Sequence, residues 1–296
     1  MPLSTEERKE LYGRAKGLRK DIVTVTSESG GAHIGGGLSA LDILVLLYFK
    51  YLNIDPENPS WEERDRFVLS KGHAAIAYVP VLARRGYFSF DELKTFNKFG
   101  SPFGMHPDSR RIRGCDASTG SLGHGLPMAV GMALGARVLG KSFRTFCLLG
   151  DGECNEGVVW EALMAAAHYK LTRLVPIIDR NGLMIDGPTE TVMSLEPLEE
   201  KLAAFGFDVL SVDGHDLDAV GGAIEHAIAA GDPSAAGETV GSGGKPVCIV
   251  ANTTKGKGID FMEGEVPWHY GSIDAELRIK ALESIDRMYE AIGGLA

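Results

Sequence analysis

Cysteine is scarce in this chain, and what there is lies scattered. The four cysteines in 296 residues, Cys115, Cys147, Cys154 and Cys248, show no CxxC spacing. They fit buried or incidental thiols in a reducing, cytoplasmic setting. Basic charge is also in deficit: 30 Lys and Arg against 40 Asp and Glu leave a formal net charge of -10. An acidic surface repels phosphate backbones, so nucleic acid is not an expected partner. No apolar run reaches about 18 residues, so no membrane-spanning helix and no membrane association are expected. The opening stretch "MPLSTEERKELYGRAKG" is charged and helical in pattern, unlike a signal peptide. Several catalytic signatures are missing too. There is no GxxxxGKS/T phosphate loop and no GxSxG elbow, and the histidines have neither HxH nor HExxH spacing, which argues against zinc.

What remains is an ordinary globular composition, 44% hydrophobic and 24% charged. A chain of this length can bury about 75% of its unfolded surface. Strands are expected at 65–70, 144–149, 174–179, 207–212 and 247–252. Helices are expected at 4–28, 38–51, 74–85, 91–99, 126–139, 156–169, 195–205, 216–230 and 274–292. "GGAHIGGG", Gly30 to Gly37, reads as a loop. Alternation of apolar strands with helices predicts an α/β fold: a doubly wound, mostly parallel sheet with helices on both faces. The whole chain, 1–296, reads as one domain. Residues 231–246, "GDPSAAGETVGSGGKP", read as a flexible Gly/Ser-rich excursion.

In such a sheet ligands sit beyond the carboxyl ends of the strands. The glycine-rich loops after Ser70, Leu149, Asp179 and Asn252 all fall there. "GDGECNEG", residues 150–157, sets Asp151 between two glycines just after a strand. A plain turn accounts for that, and so does a magnesium-held phosphate, with Asp151 as a hard oxygen ligand. Asn181, in "IIDRNGLMIDG", stands one strand–helix–strand unit further on. Its side-chain oxygen and a nearby carbonyl can complete the protein share of an octahedral site. Alone, Asn-Gly is only a turn. His33, His73, His106, His124 and His269 lie in glycine-rich segments or at their edges, whereas His168, His215 and His226 read as peripheral or helical.

These strings, with "SKGHAAIAYVPVLARRGYF", "GMHPD", "STGSLGHGLPMAVGMALGAR" and "TTKGKG", resemble in order the N-terminal half of transketolases, from about residue 10 to about residue 290. The resemblance implies a thiamine diphosphate-binding fold that holds thiamine diphosphate and Mg²⁺. It implies metal ligation by Asp151, Asn181 and the Leu183 carbonyl. It places His73, Gly150, Gly152, Glu153 and His269 at the diphosphate, Gly120 and Leu122 at the aminopyrimidine, and Ile185 beside the thiazolium. His33, His106 and His269 would face the donor sugar as catalytic imidazoles. Glu156 and Glu161 resemble the acidic pair that links two cofactor sites across a dimer. His33 sits in "GGAHIGG" where the family usually has "SGHPG", and His269 is the only histidine in its loop, where the family has two.

A complete transketolase is about twice this length. The glutamate that engages the aminopyrimidine, and most groups that grip the sugar phosphate, lie in the other half. The expected function is therefore the N-terminal subunit of a split transketolase. It would move a two-carbon ketol unit from a ketose phosphate to an aldose, with a C-terminal pyrimidine-binding subunit in an α2β2 assembly. The competing readings are the α-subunit of a 2-oxo-acid dehydrogenase, against which "SKGH" and "GMHPD" argue, and a non-catalytic cofactor-binding regulator.

Overall fold

The computed structural model describes residues 3–231 and 244–293. Most of the excursion expected at 231–246, residues 232–243, falls outside them. All five expected strands form: β1 (Arg66–Leu69), β2 (Thr145–Gly150), β3 (Leu174–Arg180), β4 (Asp208–Asp213) and β5 (Val247–Asn252). They pair in the order β1-β2-β3-β5-β4, every pairing parallel. Their side chains alternate between two cores, as a pleated strand requires. Phe67, Phe146, Leu148, Val175, Ile177 and Ile249 enter one. Val68, Cys147, Leu149, Leu174, Ile178 and Val250 enter the other. Both faces are buried at β1, β2, β3 and β5, which is why these read as apolar runs, whereas the edge strand β4 is only partly buried.

The first core is covered by α1 (Thr5–Ser29), α2 (Ile34–Leu46), α3 (Ala75–Arg85), α8 (Leu217–Ala230) and α9 (Ala275–Ile292). The second is covered by α4 (Gly125–Val138), α5 (Gly157–His168) and α7 (Leu198–Ala204). A one-turn α6 (Thr189–Val192) sits in the loop after β3. Helix α1 starts at a capping box between Ser4 and Glu7 and stops at Gly30, whose φ of 80° suits glycine.

Three boundaries differ from expectation. The loop expected over Gly30–Gly37 is helical from Ile34 onward, so the first turn of α2 contains three consecutive glycines. They are there for close approach. A Cβ on Gly35 would come within 2.6 Å of the Trp268 carbonyl, and one on Gly37 within 2.8 Å of Ile76. Residues 91–99 give only a 3₁₀ stretch, Phe90–Thr95; the Asn97 amide turns to the Phe103 carbonyl instead. The helix expected from 195 begins at Leu198, because Pro197 disfavours helical backbone at the residue before it.

Helix α2 continues through a π-turn, Leu47–Tyr51. Ile34–Tyr51 is long and apolar enough to cross a membrane by composition, although Asp42 and Lys50 interrupt it. It is largely buried inside this fold as the central core helix.

Candidate active site

The carboxyl ends of β1, β2, β3 and β5 open onto one cleft of about 320 Å³. All thirteen residues expected at the site line it. Gly150 pairs with Asp179 across β2 and β3, which brings the Asp151 and Asn181 loops side by side. Asp151 is buried, and one oxygen accepts from the Gly182 amide at 2.7 Å and the Thr189 hydroxyl at 3.2 Å. Burial and the neighbouring Asp179 push its carboxyl above the usual range. Asn181 Oδ1 accepts from the Leu183 amide at 3.1 Å. Neither glycine of GDG has a positive φ, and only Gly152 serves close approach. A Cβ on Gly152 would sit 3.0 Å from Met184. A 3₁₀ turn, Gly152–Asn155, leads into the helix expected at 156–169, which begins at Gly157.

Four imidazoles face one another across the cleft. His33 lies 5.3 Å from His73, 6.1 Å from His106 and 5.4 Å from His269, centre to centre. His73 and His269 stack at 5.4 Å. Burial depresses all four; nearby positive groups add to the effect at His33, His73 and His269, and His33 and His269 fall to about 4. They are neutral near pH 7. His33 Nδ1 is buried without a hydrogen-bond partner. Gly120 presses on the His106 ring, its Cβ direction 3.2 Å from the imidazole. Ile185 is exposed at the cleft, and Leu122 is half-buried.

Glu153 is a hub. It accepts from the Ser70 hydroxyl at 2.5 Å and from the Gly123 and Gly150 amides at 2.7 and 3.0 Å, joining three loops. Burial raises its pKa against those bonds. Glu156 and Glu161 are both exposed at the start of α5, open to a neighbouring chain.

Sequence reasoning missed two lysines. Lys71, 1% exposed, donates to the Gly36 carbonyl at 3.0 Å and pairs with buried Asp179. Lys255, 2% exposed, donates to the Leu183 carbonyl at 2.8 Å and to His269 Nδ1 at 2.9 Å. Burial, with Lys71 nearby, lowers it to about 8. Gly36 and Met184 complete the wall. A lysine between small residues in a loop usually marks a solvated surface, so nothing in the linear pattern distinguished these two. Of the peripheral histidines, His168 and His226 are exposed as expected. His215 is not peripheral: its ring bonds Asp42 and the Thr254 amide at 2.8 Å each.

Among the described residues no three His, Cys, Asp or Glu side chains gather as a metal cage. The donors here are a different set, one carboxylate, one amide and one carbonyl, all hard oxygens suited to Mg²⁺. The Leu183 carbonyl already faces the Lys255 cation, and Asp151 is a buried carboxylate that a cation would relieve.

A parallel sheet that brings hard oxygens, two lysines and four neutral imidazoles to its carboxyl ends defines an α/β domain for an anionic cofactor. Comparison makes the class specific. Residues 11–281 match the family described as transketolase, thiamine diphosphate binding domain. The chain belongs to the transketolase family. It is 40% identical to the 6-deoxy-6-sulfo-D-fructose transketolase subunit of a Clostridium species, over 96% of this chain and 98% of that one. It is 38% identical to one subunit of the apulose-4-phosphate transketolase of Phocaeicola vulgatus, over 93% of each. The transketolase structure from Campylobacter jejuni superposes with a TM-score of 0.83 at 30% identity, covering 93% of this chain and 42% of that one. The chain thus spans nearly the whole of the subunit relatives and less than half of that solved transketolase.

Proposed function

We propose that this chain is the N-terminal subunit of a two-subunit, thiamine diphosphate- and Mg²⁺-dependent transketolase. It moves a two-carbon ketol unit from an anionic ketose to an aldose. The observation that carries the reading is one cleft uniting Asp151, Asn181 and the Leu183 carbonyl with Lys71, Lys255 and the four imidazoles. Bound there, thiamine diphosphate supplies the electron sink for carbon–carbon cleavage. Asp151, Asn181 and Leu183 would hold the metal, and Lys71, Lys255, His73, Gly152 and His269 the diphosphate. Gly120, Leu122 and Ile185 would line the rings. His33, His106 and His269, neutral at pH 7, can each accept or donate a proton at a sugar hydroxyl. The two relatives' names specify a sulfonated and a phosphorylated sugar, which supports an anionic donor.

The relatives' names as subunits support a separate partner. The bare surface supports it too. Val138, Leu139 and Met164 are exposed on α4, just beyond it and on α5, and Gly131 and Gly135 face open space on α4. Such a surface suits a C-terminal pyrimidine-binding subunit, in an α2β2 assembly with cofactor at each boundary. The four buried free thiols support a reducing compartment, the cytoplasm.

The test is reconstitution. The chain alone should bind thiamine diphosphate weakly and turn over nothing. Mixed with a C-terminal subunit it should give a mass of two copies of each and ketol transfer from a panel of phosphorylated and sulfonated ketoses. Full activity from the single chain would refute the split reading. A reconstituted complex that ignores thiamine diphosphate would refute the cofactor.

A further inference from the structure

The segment that carries Lys255 into the cleft is fixed at several points. The Thr253 amide donates to the Arg180 carbonyl at 3.0 Å, and the Thr253 hydroxyl to Asp179. The Gly256 amide donates to the Gly35 carbonyl at 3.0 Å, and the Lys257 carbonyl accepts from Arg19 Nε at 3.2 Å. Between these, next to Lys255 itself, the Thr254 amide donates to the ring of His215 at 2.8 Å. No other backbone amide in this segment ends on a side chain that is itself held by the buried charge network.

That network is short and complete. Asp42 of α2 takes two bonds from the buried Arg19 guanidinium of α1, at 2.9 and 2.7 Å. Arg19 also donates to Tyr289 of α9 at 2.6 Å. The second Asp42 oxygen accepts from His215 Nδ1 at 2.8 Å, leaving Nε2 as the acceptor for Thr254. Both ring nitrogens are used, which fixes the neutral tautomer and the ring's orientation. Gly214 gives the close packing: a Cβ there would come within 2.4 Å of the Thr253 methyl. The chain of contacts therefore runs from the helical core, through one imidazole, to the amide beside Lys255.

We propose that His215 is a positioning residue that holds Thr254, and through it sets the Lys255 ammonium against the Leu183 carbonyl and His269 in the cleft. It touches none of the residues that would meet metal or sugar. This deepens the functional reading above and rests on it only where cofactor affinity is concerned. Two substitutions separate the two ends of the ring. Asparagine at 215 keeps a donor for Asp42 and loses the acceptor for Thr254. Glutamine keeps an acceptor at the Nε2 position and gives up the Asp42 bond.

The experiment is acetylation of the full chain with acetic anhydride, mapped by mass spectrometry, together with calorimetry of thiamine diphosphate and Mg²⁺ binding. Lys71, as buried as Lys255 and held by Asp179, is the internal control. In His215→Asn, Lys255 should be acetylated about tenfold faster or more while Lys71 stays slow, a change equivalent to one lost hydrogen bond. Thiamine diphosphate affinity should weaken about tenfold alongside. In His215→Gln both quantities should stay within about threefold of the parent. Unchanged Lys255 labelling in His215→Asn would overturn the proposal. So would equal exposure of Lys71 and Lys255, or failure of His215→Asn to fold, since either makes the role a general one. If the parent, reconstituted with the C-terminal subunit, takes up no thiamine diphosphate, the cofactor reading falls, and the labelling ratios still decide the role of His215.

Discussion

Two buried charge clusters sit a few residues apart in this molecule and behave in opposite ways. Around Arg19, Asp42, His215 and Tyr289 almost every polar atom has a close partner, and the guanidinium and carboxylate meet through two bonds. In the cleft, burial works against the charges. It lowers Lys255 to about 8 and His33 and His269 to about 4, and it raises Asp151. His33 Nδ1 has no partner at all. The first cluster is complete as it stands. The second is arranged for charge that a ligand brings, the pattern expected of a functional site.

The difference can be broken first on the scaffold side. Arg19→Leu removes one member of a fully buried pair and strands the Asp42 carboxylate. Loss of one partner from such a pair costs about 3–5 kcal/mol, so the thermal and denaturant midpoints should fall far. A midpoint within a degree of the parent would show that the pair is not holding α1 to α2.

On the cleft side the effect should appear in ligand affinity. Asp151→Ala removes the one carboxylate among the proposed metal donors. Mg²⁺-dependent thiamine diphosphate affinity should drop about 100-fold or more, the upper range already seen for groups that merely orient metal ligands. The bare protein's melting point should move much less than in Arg19→Leu. Unchanged affinity by calorimetry would remove Asp151 from the metal site. Glu153→Gln stands between the two cases, a structural carboxylate inside the cleft wall. It sets an amide NH₂ against one of the donors that Glu153 now satisfies. The cost should be about 1–3 kcal/mol of stability, read by denaturant titration, with a smaller loss of affinity.

The two clusters also differ in how far the sequence disclosed them. The cleft was legible because its backbone is unusual. Glycines beside Asp151, Asn181 and the loop histidines mark close approach, as at Gly152, or left-handed backbone, as at Gly182. The parallel sheet then had to gather those loops at one end. The glycines before α2 misled for the same reason, since close approach within a helix and freedom within a loop look alike in one dimension. The scaffold network was invisible. Arg19 and Asp42 stand on successive helices, and His215 lies beyond four strands further along the chain. An arginine in an amphipathic helix ordinarily faces water. Lys71 and Lys255 were hidden likewise, because only the fold shows that their ammonium groups turn inward.

The gentlest way to sharpen the comparison is pH. In the unfolded chain histidine titrates near 6.5. In the folded cleft His33 and His269 titrate near 4, His73 well below its ordinary value and His106 below it. As pH falls through about 6.5 the unfolded chain takes up protons first, and stability drains away until about pH 4, where the folded imidazoles also charge. Above pH 7 both states are neutral at these positions and nothing changes. Asp151 and Glu153, raised by burial, work the other way at the acid end, because the folded state gains protons there. Melting of the bare chain from pH 7.5 to 5 should therefore lose about 2 °C for each kcal/mol removed. With thiamine diphosphate and Mg²⁺ the slope should be shallower. The diphosphate's charge favours protonated imidazoles, and binding should take up protons, measurable as buffer-dependent heats. His33→Asn should flatten the dip in the bare chain, whereas Arg19→Leu should lower the whole curve without changing its slope between pH 7 and 5. A dip that survives replacement of His33, His73, His106 and His269 together would place the titrating groups outside the cleft.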